Sequence, residues 1–352
     1  MSNRQRVERN YILEWVKLIL AVLLVFIHAR LPGRAGDALD CFARITVPTF
    51  FAISGYYSFQ IDDHQISRRL LHIFKIMLIA SFVFCAWGIW KVEVINNGST
   101  RDYLLGQFSI VNIAKFLIIG VNPFGGHLWY LTAILYCYAF LWIFARFCKT
   151  ERGVYDYRNI YLIGFILYLI HIAAGPVATA VGVDIHYTFY RNAWFFGIPM
   201  FSLGLFLREY QDALITKFSL TDGKLLLLIL IGLFLSQIQW FGTGKVEMPL
   251  GTLIEVVSLI LLVMPMKKKV SLKTRYLSLI AGKASTVVYI THNMYIYILE
   301  AYEDVLVIPG KSERPFLWDM IVIGLSVITG FVLGAIMSGI EKLKKQEKTQ
   351  RL

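Results

Sequence analysis

The sequence predicts an all-α, polytopic integral membrane protein with about ten transmembrane helices and both ends in the cytoplasm. Three observations carry this. The 352 residues are 57% hydrophobic and 16% charged, with a mean hydropathy of +0.61, too apolar for a soluble chain of this size. Apolar stretches of about the 20 residues that a spanning helix needs recur along the chain. Lys and Arg gather in alternate connections between them.

The first stretch, 11–31, follows Arg4, Arg6 and Arg9 and has the outline of a signal peptide. Glu14 and Lys17 interrupt its apolar core and no small-x-small cleavage site follows closely, so it reads as a retained helix. The stretch 41–59 contains Pro48, which weakens a helix, and Ser54-Gly55, which lets another backbone approach. After 70–91, the connection 92–126 is too long for a plain turn, and 110–120 within it is apolar enough to lie in the interface. Further spans are predicted at 127–147, 159–181, 190–207, 224–240, 250–266, 276–301 and 318–340. No Pro/Ser-rich linker, long polar tract or internal repeat divides the chain, which reads as a single domain over 1–352.

With the N-terminus inside, every inner connection holds at least three cations, among them Lys267, Lys268 and Lys269. The C-terminal tail adds Lys342, Lys344, Lys345, Lys348 and Arg351. The outer connections hold fewer, including Arg30, Arg34, Lys245, Lys311 and Arg314. The net charge of +12 is spread over short connections, which points to topology and anionic lipid rather than nucleic acid. Cys41, Cys85, Cys137 and Cys148 lie far apart, so neither a disulfide nor a metal site is expected.

Ionisable groups inside spans are costly, and each is a candidate for function. Lys17 and His28 lie eleven residues apart, on nearly one helix face and about 16 Å apart along the axis. Glu14 is placed to pair with Lys17. A short loop should bring Arg44 into the membrane near His28. Arg191 and Asn192 open the sixth span before Gly197 and Pro199, and His127, Trp129 and Tyr130 open the fourth. Lys283, Ser285, Thr291, His292 and Asn293 interrupt the ninth. A basic cavity with a titratable His suits an anionic or oxyanion-forming substrate better than a metal. His64, His72 and His171 lack such neighbours and read as structural.

Together these residues resemble the membrane-bound acyltransferase 3 family, which includes O-acetyltransferases of bacterial surface glycans. The resemblance runs from Leu13-Glu14-Trp15-Val16-Lys17 and His28 through Arg44-Ile-Thr-Val-Pro48 and Ser54-Gly55-Tyr56. It continues in His127-Leu-Trp129-Tyr130-Leu131, Arg191-Asn192, Phe195-Phe196-Gly197 and Tyr289-Ile-Thr-His292.

What the resemblance implies is a protein of the bacterial cytoplasmic membrane that moves an acyl group, commonly acetyl, from cytoplasmic acyl-CoA to a glycan hydroxyl outside. It implies no permanently bound cofactor: acyl-CoA is a donor substrate, the surface or lipid-linked glycan is the acceptor, and membrane lipids are partners. His28 and Arg44 become the catalytic candidates, His28 as general base or as the carrier of a covalent acyl group, and Arg44, with Arg191, as stabiliser of the carbonyl oxyanion. Glu14, Lys17, Ser54, Tyr56, His127, Trp129, Arg191, Asn192 and His292 become substrate-binding candidates. Many members have Arg where this chain has Lys17, and Lys offers a point charge in place of a planar fork.

The residues leave other readings open. The chain also resembles the membrane module of membrane-bound serine racemases, which fits a non-catalytic transporter or sensor of a small solute such as an amino acid. No racemase domain is expected after the last span. Export of a glycan is a third reading, as is a homo-oligomer for the assembly.

Overall fold

A computed structural model describes residues 9–150, 154–266, 271–302 and 315–350. Among the predicted cations, Arg4, Arg6, Lys267, Lys268, Lys269, Lys311, Arg314 and Arg351 lie outside the described residues, as do the side chains of Lys344, Lys345 and Lys348.

The described chain is helical. In order it forms α1 (Tyr11–His28), α2 (Gly33–Ala43), α3 (Thr46–Tyr56), α4 (Asp63–Trp90), α5 (Thr100–Gln107), α6 (Ile110–Ile119) and α7 (Trp129–Cys148). Then come α8 (Arg158–Ile172), α9 (Ala178–Ala180), α10 (Ile198–Lys217), α11 (Asp222–Gly242), α12 (Gly251–Val263), α13 (Leu272–Ala301) and α14 (Pro315–Gln350). A wide turn, Ala173–Val177, joins α8 to α9 around Pro176, which has no N–H to give the regular ladder. A second, Ala193–Gly197, leads into α10.

Each of the ten predicted apolar stretches contains a helix. Among the described residues, six segments are long and apolar enough to cross a membrane: Tyr11–His28, Asp63–Ile95, Gly126–Cys148, Arg158–Ala180, Asp222–Gly242 and Phe316–Leu343. The bent pair α5 and α6 adds a seventh if taken as one span. Of the remaining predicted spans, α3 and α12 have 11 and 13 residues. The longer α10 and α13 carry several charges, Arg208, Glu209 and Asp212 in one and Lys273, Arg275 and Lys283 in the other. Large apolar side chains stay exposed along the helices, among them Ile79 and Phe82 on α4 and Leu230 and Phe234 on α11. Such faces need lipid.

Two sequence expectations change. The link after α1 is a helix, α2, whose buried Asp40 is paired with Arg30 at 3.2 Å. The apolar run 41–59 is divided, because α2 ends at Ala43 and α3 begins at Thr46. The long connection carries its own structure as expected: Tyr136 and Trp194 donate to the carbonyls of Phe116 and Ile118, both at 2.6 Å, and tie α6 down. Ile110, Leu117 and Ile118 remain on the exposed side of α6.

The chain divides into two compact units. The first holds the described residues up to Ala43 and from Leu259 onward; the second is Arg44–Ser258.

In the first unit α1 and α13 run parallel. Trp15 Nε1 donates to Ser278 Oγ at 3.0 Å near one end, and the His28 and His292 rings lie 5.1 Å apart near the other. α14 returns antiparallel to α13, as the Lys283–Glu341 pair at 3.0 Å and the approach of Gly330 to Val288 show. Asn10 starts α1: its side-chain oxygen accepts from the N–H groups of Ile12 and Leu13, and its Nδ2 donates to the Val263 carbonyl at 2.7 Å.

In the second unit α3 and α10 run parallel at backbone contact. A side chain at Gly55 would overlap the Phe201 carbonyl, and one at Gly204 the Ala52 carbonyl. Phe51, Trp129 and Phe196 form the aromatic core beside them. α11 and α12 are antiparallel, with Ser236 Oγ donating to the buried Glu255 at 2.7 Å. In the connection before α8, Tyr155 donates to Asp63 at 3.0 Å. Burial, then that hydrogen bond, pushes its hydroxyl up to about 12, so it stays a donor at neutral pH.

Candidate active site

The candidate residues fall into both units. Glu14, Lys17, His28 and His292 belong to the first. Arg44, Ser54, Tyr56, His127, Trp129, Arg191 and Asn192 belong to the second.

In the first unit the expected Glu14–Lys17 pair is present, and Arg9 Nε adds a second cation to Glu14 at 2.9 Å. The buried Glu14 carboxylate packs where α13 has Gly282, whose missing side chain leaves it room. One carboxylate between two cations keeps a net positive charge at this end of α1. At the other end His28 faces His292, which is fully buried. His292 Nδ1 lies 3.1 Å from the Val288 carbonyl. A carbonyl only accepts, so Nδ1 carries a proton. Lys283, expected to line a cavity, pairs with Glu341.

In the second unit two arginines from the N-terminal ends of parallel helices converge. Arg44 precedes α3, and Arg191 precedes the turn that opens α10. Each gives an Nη1 hydrogen bond to the same oxygen, Oε2 of Glu247, at 2.8 and 3.3 Å. Aromatic rings surround both guanidinium groups. Arg44 lies 5.4 Å from the Trp240 ring centre, and Arg191 lies 4.2 Å from Tyr187 and 5.5 Å from Trp129. Arg44 is only 7% exposed.

Asn192 holds Arg191 in place. Its Oδ1 accepts from the N–H groups of Trp194 and Phe195, and its Nδ2 donates to the carbonyls of Thr188 and Phe189. Those four bonds use all four hydrogen-bonding positions of the amide. The buried His171 adds a second brace, with Nδ1 donating to the Tyr190 carbonyl at 3.1 Å.

Ser54 and Tyr56 lie toward the other end of α3 from Arg44. Ser54 donates to the Phe50 carbonyl at 2.9 Å. Tyr56 donates to Gln211 and accepts from Arg208 at 3.3 Å. Twelve residues separate Arg44 from Tyr56, about 18 Å at helical rise. His127 is buried edge-on to Phe84, with ring centres 4.6 Å apart. Trp129 is the one member of its group that reaches Arg191.

The sequence reading passed over Glu247, Trp240 and Tyr187, and read His171 as structural without a partner. The tally of connections counted cations alone, and so missed an acid in a loop otherwise marked by Lys245. His171 had no polar neighbour in sequence, because its partner is a backbone carbonyl.

Apolar helices with exposed faces, ion pairs inside helices and a histidine pair define a multi-pass membrane protein with buried charge. Residues 10–338 match the acyltransferase 3 family, described as an acyltransferase domain, and the chain belongs to that family. Searches of curated proteins and of solved structures find no match.

Proposed function

We propose that the protein is a membrane-embedded O-acyltransferase, an O-acetyltransferase in the simplest form, acting on a glycan. The donor is cytoplasmic acyl-CoA and the acceptor a hydroxyl of a cell-surface or lipid-linked glycan, reached from a bacterial cytoplasmic membrane crossed about ten times. Family membership over residues 10–338 supports acyl transfer in general. The observation that carries the reading further is the His28–His292 pair at the end of α1, which places two imidazoles together inside a membrane helix pair.

In this mechanism His28 takes the proton of the acceptor hydroxyl as its oxygen attacks the thioester carbonyl carbon. The C–S bond breaks, and the proton passes to the departing CoA thiolate. His292, its Nδ1 proton fixed by Val288, holds the His28 ring in orientation. Arg9 and Lys17 attract the CoA phosphates at the opposite end of α1, and Arg44 and Arg191 bind an anionic part of the substrates.

Mass spectrometry of surface glycans tests the reading in three strains: one producing the protein, one lacking it, and one producing equal amounts of His28→Ala. An acyl mass increment only with the intact protein is expected. Three identical spectra would reject glycan acylation.

A further inference from the structure

The Arg44–Arg191 site already holds a carboxylate side chain, Glu247, supplied by the chain itself. Glu247 sits in the connection between α11 and α12, outside regular structure and near Gly244, whose φ is +124°. Its side chain is 18% exposed, against 7% for that of Arg44. The two arginines, by contrast, are fixed. Arg44 is buried at the head of α3, and Arg191 is held between Asn192, Tyr187 and Trp129.

Among the described residues, the Arg191 side chain makes one hydrogen bond, the 3.3 Å contact to Glu247. A guanidinium has five N–H donors in a plane, matched to both oxygens of a carboxylate. Arg44 and Arg191 both donate to one Glu247 oxygen, and that contact uses one of the five donors of the Arg191 guanidinium. The site is therefore cationic, with donors of Arg191 left for an anion and its own carboxylate carried on a loop.

We propose that Glu247 is an internal stand-in for a substrate carboxylate, and that Arg44 and Arg191 recognise a carboxylate-bearing sugar. The inference rests on the glycan reading above and narrows the acceptor to an acidic one. The sequence reading gave the two arginines the carbonyl oxygen of the transition state. A full carboxylate held in the ground state fits a permanently anionic partner better than a transient partial charge. When the acidic sugar binds, its carboxylate takes the guanidinium forks, Tyr187, Trp129 and Trp240 flank it, and Glu247 swings toward water. Charge at the arginines is then conserved, which favours exchange over simple addition.

Direct binding to the purified full chain in lipid nanodiscs tests this without depending on acyl transfer. The probes are glucuronate, its methyl ester, L-alanine and inorganic phosphate, against wild type, Glu247→Gln and Arg191→Lys. Glucuronate should bind, and Glu247→Gln should bind it about tenfold more tightly, the low end of close charge-pair couplings. The methyl ester should bind at least about tenfold more weakly than the acid, and Arg191→Lys should lose glucuronate because Lys has no fork.

Equal binding of ester and acid would overturn the proposal. So would a preference for phosphate, unchanged affinity in a folded Glu247→Gln, or no glucuronate binding by any form. Alanine binding as tightly as glucuronate would overturn the sugar and point to a small-solute site. If Glu247→Gln fails to fold, the acid-to-ester ratio on the wild type decides. Acyl transfer to neutral glycans alone would sink this inference while leaving the acyltransferase reading intact.

Discussion

In the first unit two imidazoles meet from parallel helices, and in the second two guanidinium groups meet over a carboxylate. Histidine changes charge near neutral pH, whereas arginine stays charged throughout. The imidazoles are suited to moving a proton, and the guanidinium groups to holding an anion. Their supports differ in kind as well. His292 is oriented by a backbone carbonyl of its own helix. Arg191 depends on a cap, a neighbouring histidine and two aromatic rings.

The largest stability effect should fall on the arginine side. Arg44→Ala removes the closer, 2.8 Å bond of a buried guanidinium and should cost about 3 kcal/mol, the upper end for a hydrogen bond to a charged group. Arg191→Ala removes a longer bond from a more exposed group and should cost about 1.5 kcal/mol. Denaturant unfolding in detergent measures both, and the reverse order would break the distinction between a buried anchor and a more accessible fork. Gly55→Val comes next: its side chain would meet the Phe201 carbonyl, and overpacking of this kind costs about 1–3 kcal/mol. The same assay reads it, and an unchanged midpoint would mean that α3 and α10 are not held at backbone contact. Asn192→Ala should cost the least, about 1 kcal/mol for a lost cap, with weaker glucuronate binding by a loosened Arg191. Unchanged binding would show that the cap does not position the fork.

Much of this was legible in the sequence. The apolar runs located the spanning helices, the three-residue spacing gave the Glu14–Lys17 pair, and Ser54-Gly55 foretold a close backbone approach, which α10 makes. A hydropathy run cannot show that 41–59 breaks at Arg44, because both flanks are apolar and the break lies in backbone geometry. Nor could spacing alone reveal Glu247. It lies 203 residues from Arg44 and 56 from Arg191, and only tertiary folding brings the three together. Asn192 was read as a substrate-binding candidate and His171 as structural, yet both bond to backbone and act as braces.

The most direct test of the central claim is CoA release from acetyl-CoA in the presence of a glycan acceptor. It would compare wild type, His28→Ala and His292→Ala in nanodiscs at matched helix content. The account predicts that His28→Ala lowers the acceptor-dependent rate about 100-fold or more, as loss of a general base does, with a smaller loss for His292→Ala. A folded His28→Ala that turns over at the wild-type rate would contradict it.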